Sequence, residues 1–71
     1  MSFQQMLKKA RLDSGLTQVE IAKRLQIDKS TYCGYETGKR QPDTQRLKQI
    51  AGILDVSVDY LLGLSDKVNS A

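Results

Sequence analysis

The sequence predicts an all-α fold of five short helices. Apolar residues recur at helical spacing in several segments, and no segment alternates for long enough to predict a strand. Residues typical of helix caps, together with glycines, divide the chain into five such segments. Because 71 residues are enough for only one small domain, we expect a single domain over residues 1–64 and a flexible tail over residues 65–71.

The first helix carries its apolar residues on one face, at Phe3, Met6, Leu7 and Ala10. This i, i+3, i+4, i+7 spacing is that of an amphipathic helix. The helix is predicted to end near Ser14-Gly15, because glycine readily adopts the left-handed conformation that often follows the last helical turn.

The strongest local signal marks the start of the second helix. Thr17 and Glu20 have the spacing of a capping box, in which each side chain accepts a hydrogen bond from the backbone N–H of the other residue. Leu16 and Ile21 stand at the positions of a hydrophobic staple around that cap. The helix is predicted to run to about Leu25.

A third helix follows after a very short turn. Asp28 is the predicted N-cap, and Ile27 with Tyr32 repeats the staple spacing. So short a turn forces the two helices to cross steeply, which is the helix-turn-helix arrangement. Gln26 is predicted to adopt the left-handed conformation within the turn. The third helix is predicted to end at residues 37–38, a Thr-Gly pair.

Two more helices complete the predicted domain. A single apolar stripe defines the fourth helix: Leu47, Ile50, Ala51 and Leu54. A basic loop, GKRQP, precedes this helix, and Asp43 is its expected cap. The fifth helix is predicted to start at the cap residue Ser57 and to stop at Gly63.

The positive charge of the chain is unevenly distributed. Composition is ordinary for a globular domain, with 39% hydrophobic and 27% charged residues. Residues 1–50 hold ten Lys and Arg against five Asp and Glu, a net +5, whereas residues 51–71 hold one Lys against three Asp, a net −2. A basic body favours a polyanionic partner, although an ordinary solvated surface explains the charge equally well.

Several kinds of site are not expected. One cysteine cannot form an internal disulfide, and a chain without histidine offers no plausible zinc ligand set. No apolar run is long enough for a signal peptide or a membrane span, so a cytoplasmic protein is expected. Catalysis has little support, because Glu20, Asp28 and Asp43 are expected in caps. We expect neither an enzyme nor a cofactor, and no small-molecule effector.

The order of these motifs resembles the Cro/C1-type (XRE) helix-turn-helix family of phage repressors and bacterial regulators. The matching segments are GLTQVEIAKRL, IDKSTYCGYETGKRQP and LKQIAGILDVSVDYLLG, and the resemblance covers about residues 5–63. It implies a lambda-repressor-like DNA-binding domain whose helix-turn-helix is formed by helices two and three. Helix two would then cross the phosphate backbone, and helix three would enter the major groove of double-stranded DNA.

Candidate base-contacting residues lie on the face of helix three that is not expected to pack inward. They are Lys29, Ser30, Cys33 and Gly34. Lys29 can reach guanine, and Ser30 can bond to several base edges. Gly34 lacks a side chain and would let the backbone approach the bases closely, with a tolerated exposed position as the alternative. Cys33 is more simply explained as a small filler residue.

A second set of residues is expected to contact phosphates, which carry no direct sequence information. This set comprises Thr17, Gln18, Tyr35, Thr37, Lys39 and Arg40. Gln18 stands at the start of helix two, where N–H groups and the helix dipole favour a phosphate. Lys39 and Arg40 lie in the loop beside helix three. Tyr35 is expected to pack inward and to touch the DNA backbone only with its hydroxyl.

Other residues are assigned to structural contacts. Arg11 and Glu36 would be the internal ion pair that the family uses to tie helix one to the end of helix three, with two separate surface charges as the alternative. The last helix is more apolar than a monomer requires, so Tyr60, Leu61 and Leu64 are expected at a dimer interface.

The leading functional prediction is a sequence-specific transcriptional regulator. We expect a repressor that acts as a homodimer on a palindromic operator, because one such module buries little surface on DNA. The main alternative is a protein-binding module, such as an antitoxin whose principal partner is a toxin. A restriction-modification controller and a Cro-like switch protein also fit the sequence.

Overall fold

The computed structural model describes residues 1–65 and contains five α-helices in this part of the chain. They are α1 (Phe3–Asp13), α2 (Gln18–Leu25), α3 (Lys29–Thr37), α4 (Thr44–Leu54) and α5 (Val58–Leu61). Residues 1–65 contain no strand, which confirms the predicted all-α class. None of these helices is long and apolar enough to cross a bilayer. The predicted tail over 65–71 lies, apart from Ser65, outside the described residues.

Capping boxes hold the starts of α1 and α2. The predicted box in α2 is confirmed: the Glu20 N–H donates to Thr17 Oγ1 at 3.1 Å, and the Thr17 N–H donates to Glu20 Oε1 at 2.8 Å. A second box, between Ser2 and Gln5, starts α1 and was not predicted. Each box provides partners for backbone N–H groups that no helical hydrogen bond can satisfy. An N-cap side chain of this kind typically contributes about 1 kcal/mol to stability.

The turn between α2 and α3 is tight because Gln26 adopts the left-handed conformation, with a φ of 59°. The chain then folds back, and the Ile27 N–H donates to the carbonyl of Ala22 at 3.0 Å. This confirms the prediction for Gln26. Asp55 repeats the conformation after α4, with a φ of 58°, although no local signal had marked it. For a residue other than glycine this conformation costs roughly 1–2 kcal/mol, so tertiary packing must maintain both turns.

Asp28 occupies the N-cap position of α3, but its side chain makes no capping hydrogen bond. The expectation that this carboxylate is committed to capping is therefore wrong. Its backbone still begins the helix, because its carbonyl accepts from the Tyr32 N–H at 3.1 Å. Asp43, in contrast, caps α4 by accepting from the Arg46 N–H at 2.8 Å. The first turn of α3 thus keeps uncapped N–H groups at an exposed helix end.

The core lies among all five helices. Its buried hydrophobic members are Leu7, Ala10, Ile21, Ala22, Leu25, Tyr32, Tyr35, Ile50, Ala51, Leu54, Tyr60 and Leu61. The staple residues Leu16 and Ile27 are partly buried and pack against this cluster. The apolar faces predicted for α1, α2 and α4 supply most of it, so hydrophobic periodicity identified the packing faces of the longer helices.

The burial of two residues in α5 contradicts part of the predicted dimer interface. Tyr60 and Leu61 are 5% and 0% exposed, because α5 packs them against α1 and α4. They are core residues of their own subunit, and their assignment to a dimer interface is wrong. Leu62 and Leu64 are instead 46% and 75% exposed. A four-residue helix is too short for periodicity to show which of its apolar residues face inward.

Candidate nucleic-acid interface

The two faces of α3 have opposite surroundings. Tyr32 and Tyr35 are buried with their rings edge to face, the centroids 6.1 Å apart. The Glu36 side chain on the same face is only 4% exposed. The other face carries exposed Ser30 and Thr37 and partly buried Cys33, and Lys29 is exposed at the first turn of the helix. The division predicted for α3 is therefore present for most of its residues, with Gly34 as the exception described below.

The Glu36 carboxylate anchors the inner face of α3 through four hydrogen bonds. Arg11 donates from Nε to Oε2 at 2.6 Å and from Nη2 to Oε1 at 3.3 Å. Tyr32 Oη donates to Oε2 at 2.6 Å, and Gln18 Nε2 donates to Oε1 at 3.1 Å. The predicted ion pair between Arg11 and Glu36 is thus present. It belongs to a larger network that joins α1, α2 and α3.

This network keeps its acidic and basic members ionised. Burial by itself would raise the pKa of Glu36, but the hydrogen bonds from Arg11, Tyr32 and Gln18 outweigh it and the pKa is lowered. The hydrogen bond to Glu36 raises the pKa of Arg11 although burial opposes it. Burial, followed by the hydrogen bond to Glu36, raises the pKa of Tyr32, so the phenol stays a neutral donor. A buried ion pair needs such complete hydrogen bonding to offset the loss of hydration.

Gln18 connects the network to the surface at the start of α2. One N–H of its Nε2 is engaged by Glu36, which fixes the orientation of the amide, and an amide of this kind has a second N–H to offer. The adjoining capping box takes up the Thr17 N–H, so that donor is not available to a phosphate. The exposed Glu20 carboxylate of the box also places negative charge there, and its hydrogen bonds with Thr17 lower its pKa. Gln18 is therefore the better phosphate donor of the predicted pair.

Gly34 does not have the open surroundings that the sequence predicted. It is buried because the side chain of Arg40 lies over it: a Cβ added at position 34 would be 3.0 Å from Arg40 Cγ, 3.1 Å from Cδ and 3.2 Å from Cβ. The assumption of an open backbone at Gly34 is therefore wrong, because Arg40 occupies the space through which bases would approach it. The glycine leaves room for a side chain of its own chain, which a periodicity argument confined to α3 could not reveal.

A basic loop continues directly from α3. Gly38 has a φ of 85° and turns the chain, and Lys39 and Arg40 that follow it are exposed. Neither of them, nor Lys29, forms an ion pair within the described residues. We use the term recognition surface for the exposed residues Lys29, Ser30, Thr37, Lys39 and Arg40. No acidic side chain in the described part of the chain forms an ion pair with the lysines or the arginine of this surface.

The start of α2 lies beside this recognition surface. A shallow cleft is lined by Thr17, Gln18 and Val19 together with Lys29 from the start of α3. Thr37, at the other end of α3, is exposed and donates its hydroxyl to the Gly34 carbonyl at 3.3 Å, which leaves its oxygen able to accept a hydrogen bond. The structure therefore places Thr17, Gln18 and Lys29 around one cleft, and it packs Arg40 of the loop against α3.

An all-α domain with a tight α2–α3 turn and a basic, solvent-facing α3 has the features of helix-turn-helix domains, whose second motif helix enters the DNA major groove in characterised examples. The chain belongs to the helix-turn-helix family, whose profile matches residues 7–61. This confirms the family resemblance of the sequence.

Three relatives from Bacillus subtilis support this membership. The uncharacterised HTH-type transcriptional regulator YqaE is 48% identical over 60 residues, which cover 84% of this chain and 52% of the relative. The HTH-type transcriptional regulator ImmR is 43% identical over 63 residues, covering 89% and 50%. YqaF, another uncharacterised HTH-type transcriptional regulator, is 43% identical over 63 residues, covering 89% and 80%. The chain thus spans about half the length of YqaE and ImmR.

The fold is also similar to a solved structure. The crystal structure of a transcriptional regulator from Listeria innocua superposes with a TM-score of 0.79 at 27% sequence identity. The match covers 99% of this chain and 65% of that one. The arrangement of the five helices is therefore shared with a transcriptional regulator.

Proposed function

We propose that this chain is a DNA-binding transcriptional regulator that recognises double-stranded DNA sequence-specifically, with α3 in the major groove. The observation that carries the proposal is the recognition surface itself. Its cations have no ion-pair partner within residues 1–65, while the Glu36 network fixes the opposite face of the same helix. A major groove about 12 Å wide admits one α-helix, so a rigid helix is suited to it when its outer face is covered only by the Arg40 side chain over Gly34.

Within this proposal the contact residues divide by the chemistry that they offer. Lys29 and Ser30, at the exposed start of α3, are proposed to contact base edges, and partly buried Cys33 borders them. Lys39 and Gln18 are proposed to bind phosphates on either side of the groove. Phosphate contacts fix the register of the helix, and base contacts then provide the sequence preference.

The remaining proposed phosphate contacts carry less of the binding. Thr17 retains a hydroxyl hydrogen, because its oxygen serves the cap only as an acceptor. Thr37 has its hydroxyl engaged by the Gly34 carbonyl and would have to rotate to donate. Tyr35 is 7% exposed and offers at most the edge of its hydroxyl. We therefore expect substitution of these three to weaken binding less than substitution of Lys39.

We further propose that the protein is a repressor that binds a palindromic operator as a homodimer. A single small module buries limited surface on DNA, and two modules on half-sites about one helical turn apart would provide tight binding. Exposed Leu64, with Leu62 beside it, is the proposed subunit contact in place of the buried Tyr60 and Leu61. Repression requires only that an occupied operator overlap a promoter, so the recognition surface and a dimer contact suffice for it.

Selection of binding sites from random duplexes tests this proposal. We expect enrichment of one motif arranged as an inverted repeat, with half-site centres one helical turn apart, and affinity that falls steeply as salt concentration rises. Failure to enrich any motif, at a salt concentration low enough for general binding to DNA, would contradict sequence-specific recognition. Enrichment of a single half-site without symmetry would contradict the homodimer but not DNA recognition.

A further inference from the structure

Position 34 lies at the centre of the outward face of α3. Successive residues of an α-helix are about 100° apart around its axis, so residue 34 lies about 200° from Tyr32 and faces away from the core. Tyr32 is fully buried against the domain. Any side chain that covers Gly34 must therefore lie across the face that we propose to enter the groove.

Arg40 is that side chain. Three of its aliphatic carbons lie within 3.2 Å of the place where a Cβ of residue 34 would be. The backbone holds the loop in register, because the Gly34 carbonyl accepts from the Arg40 N–H at 3.1 Å and from the Gly38 N–H at 3.0 Å. The stem of Arg40 is thus positioned on α3, although the residue itself belongs to the loop.

The guanidinium of Arg40 has no partner among residues 1–65. The residue is exposed, and within residues 1–65 its side chain forms neither an ion pair nor a hydrogen bond. Guanidinium carries five N–H donors in a planar fork that matches O6 and N7 of guanine. A stem already packed on the helix has less freedom to lose when the fork binds.

We propose that Arg40, supported by Gly34, is a specificity-determining residue that contacts the edge of a guanine. This inference rests on the proposed function, since it requires α3 to enter the groove. It differs from the phosphate role that the sequence alone suggested for this loop arginine. A phosphate contact needs only a nearby positive charge, whereas a base contact needs the side chain to lie across the outward face of the helix, where Arg40 is found.

The substitution Arg40→Lys separates the two roles, because it keeps the charge and removes the fork. The affinity of this variant should be measured for the selected duplex, for versions of that duplex altered at each base pair, and for a scrambled duplex. We expect the affinity for the selected duplex to fall by about 5- to 100-fold. The preference for one G·C pair should weaken, and the preferences at the other base pairs should not change. Affinity for the scrambled duplex should change by less than about twofold. Unchanged affinity for every duplex, or an equal loss on all of them, would overturn the proposal.

Gly34→Ala provides an independent test that leaves the arginine in place. The added methyl group would stand 3.0 Å from Arg40 Cγ and should displace the stem. Since alanine is the better helix former, the melting temperature should not fall, yet preference for the same G·C pair should weaken. Retention of that preference would overturn the role of Gly34 as support. Lys39→Ala is the matched control and should weaken all duplexes alike.

Different results would contradict the proposed function and the proposed role of Arg40. A wild-type protein that binds no duplex at low salt contradicts the proposed function, and the inference on Arg40 falls with it. A wild-type protein that selects a motif, combined with an Arg40→Lys variant that selects the same motif equally well, contradicts only the inference on Arg40.

Discussion

The Tyr32 hydroxyl donates a 2.6 Å hydrogen bond to Oε2 of Glu36, one turn further along α3. Tyr32 is fully buried, and the Glu36 side chain is 4% exposed. The same carboxylate accepts from Arg11 on α1 and from Gln18 on α2. One acidic group therefore determines how α3 is held against the two helices before it, and its hydrogen bonds can be tested one at a time.

Removal of the Tyr32 hydroxyl should destabilise the fold without creating a cavity. For Tyr32→Phe we expect the free energy of unfolding to fall by about 1.5–3 kcal/mol, the usual worth of a hydrogen bond to a charged group. Urea denaturation would measure the change. Tyr35→Phe is the matched control, since the Tyr35 hydroxyl forms no hydrogen bond within the described residues. Equal losses in the two variants would contradict a special role for the bond between Tyr32 and Glu36.

Loss of the cationic partner should cost more. Arg11→Met leaves the Glu36 carboxylate buried without its main donor, and we expect a loss of roughly 3–5 kcal/mol in the free energy of unfolding. The double variant Arg11→Met with Glu36→Leu should recover part of this loss, because it no longer buries an unpaired charge. Thermal or urea unfolding of the three proteins checks the order. A single variant as stable as wild type would show that the pair does not matter for the fold.

Acid should weaken the network. The pKa of Glu36 is lowered in the folded chain, so the unfolded state binds the proton more readily. The stability contributed by Glu36 is therefore complete above the unfolded pKa, which is near the ordinary glutamate value of 4.5, and is lost as the pH falls through the lower, folded value. We expect the difference in unfolding free energy between wild type and Glu36→Gln to shrink as the pH falls from the unfolded pKa through the folded pKa. A pH-independent difference would contradict the lowered pKa.

Much of the fold could be predicted because its signals are local. The capping box of Thr17 and Glu20 and the left-handed Gln26 depend on residues within one turn of each other. Hydrophobic periodicity likewise sufficed for helices of eight or more residues. Asp28 shows the limit of this reasoning: a residue type typical of N-caps stood at the cap position, yet its side chain makes no capping bond.

The candidate site was less predictable because its decisive contacts join separate elements. The exposed face of α3 that carries Ser30 and Thr37 could be derived from helical spacing. The packing of Arg40 over Gly34 could not, since it depends on how the loop returns along the helix after Gly38. The hydrogen bond from Gln18 to Glu36 was missed for the same reason, because it joins α2 to the end of α3.

Two lysines should separate sequence preference from general affinity. Lys29→Ala should cost about 1–3 kcal/mol on the selected duplex and relax the preference at one base position. Lys39→Ala should weaken all duplexes by a similar factor and reduce the slope of log affinity against log salt by about 1. Titrations of a selected and a scrambled duplex at several salt concentrations would measure both effects. A sequence-dependent loss for Lys39→Ala would contradict this division of roles.

Amide chemical-shift mapping with a selected duplex at low salt tests most directly whether the outward side of α3 lies against DNA. We expect the largest perturbations at Lys29 and Ser30, across residues 37–40, and at Thr17 and Gln18. The amides of α5 should shift less than these in a DNA-saturated sample. Perturbations concentrated on α4 and α5, or none on α3 while the duplex is bound, would contradict this placement of α3.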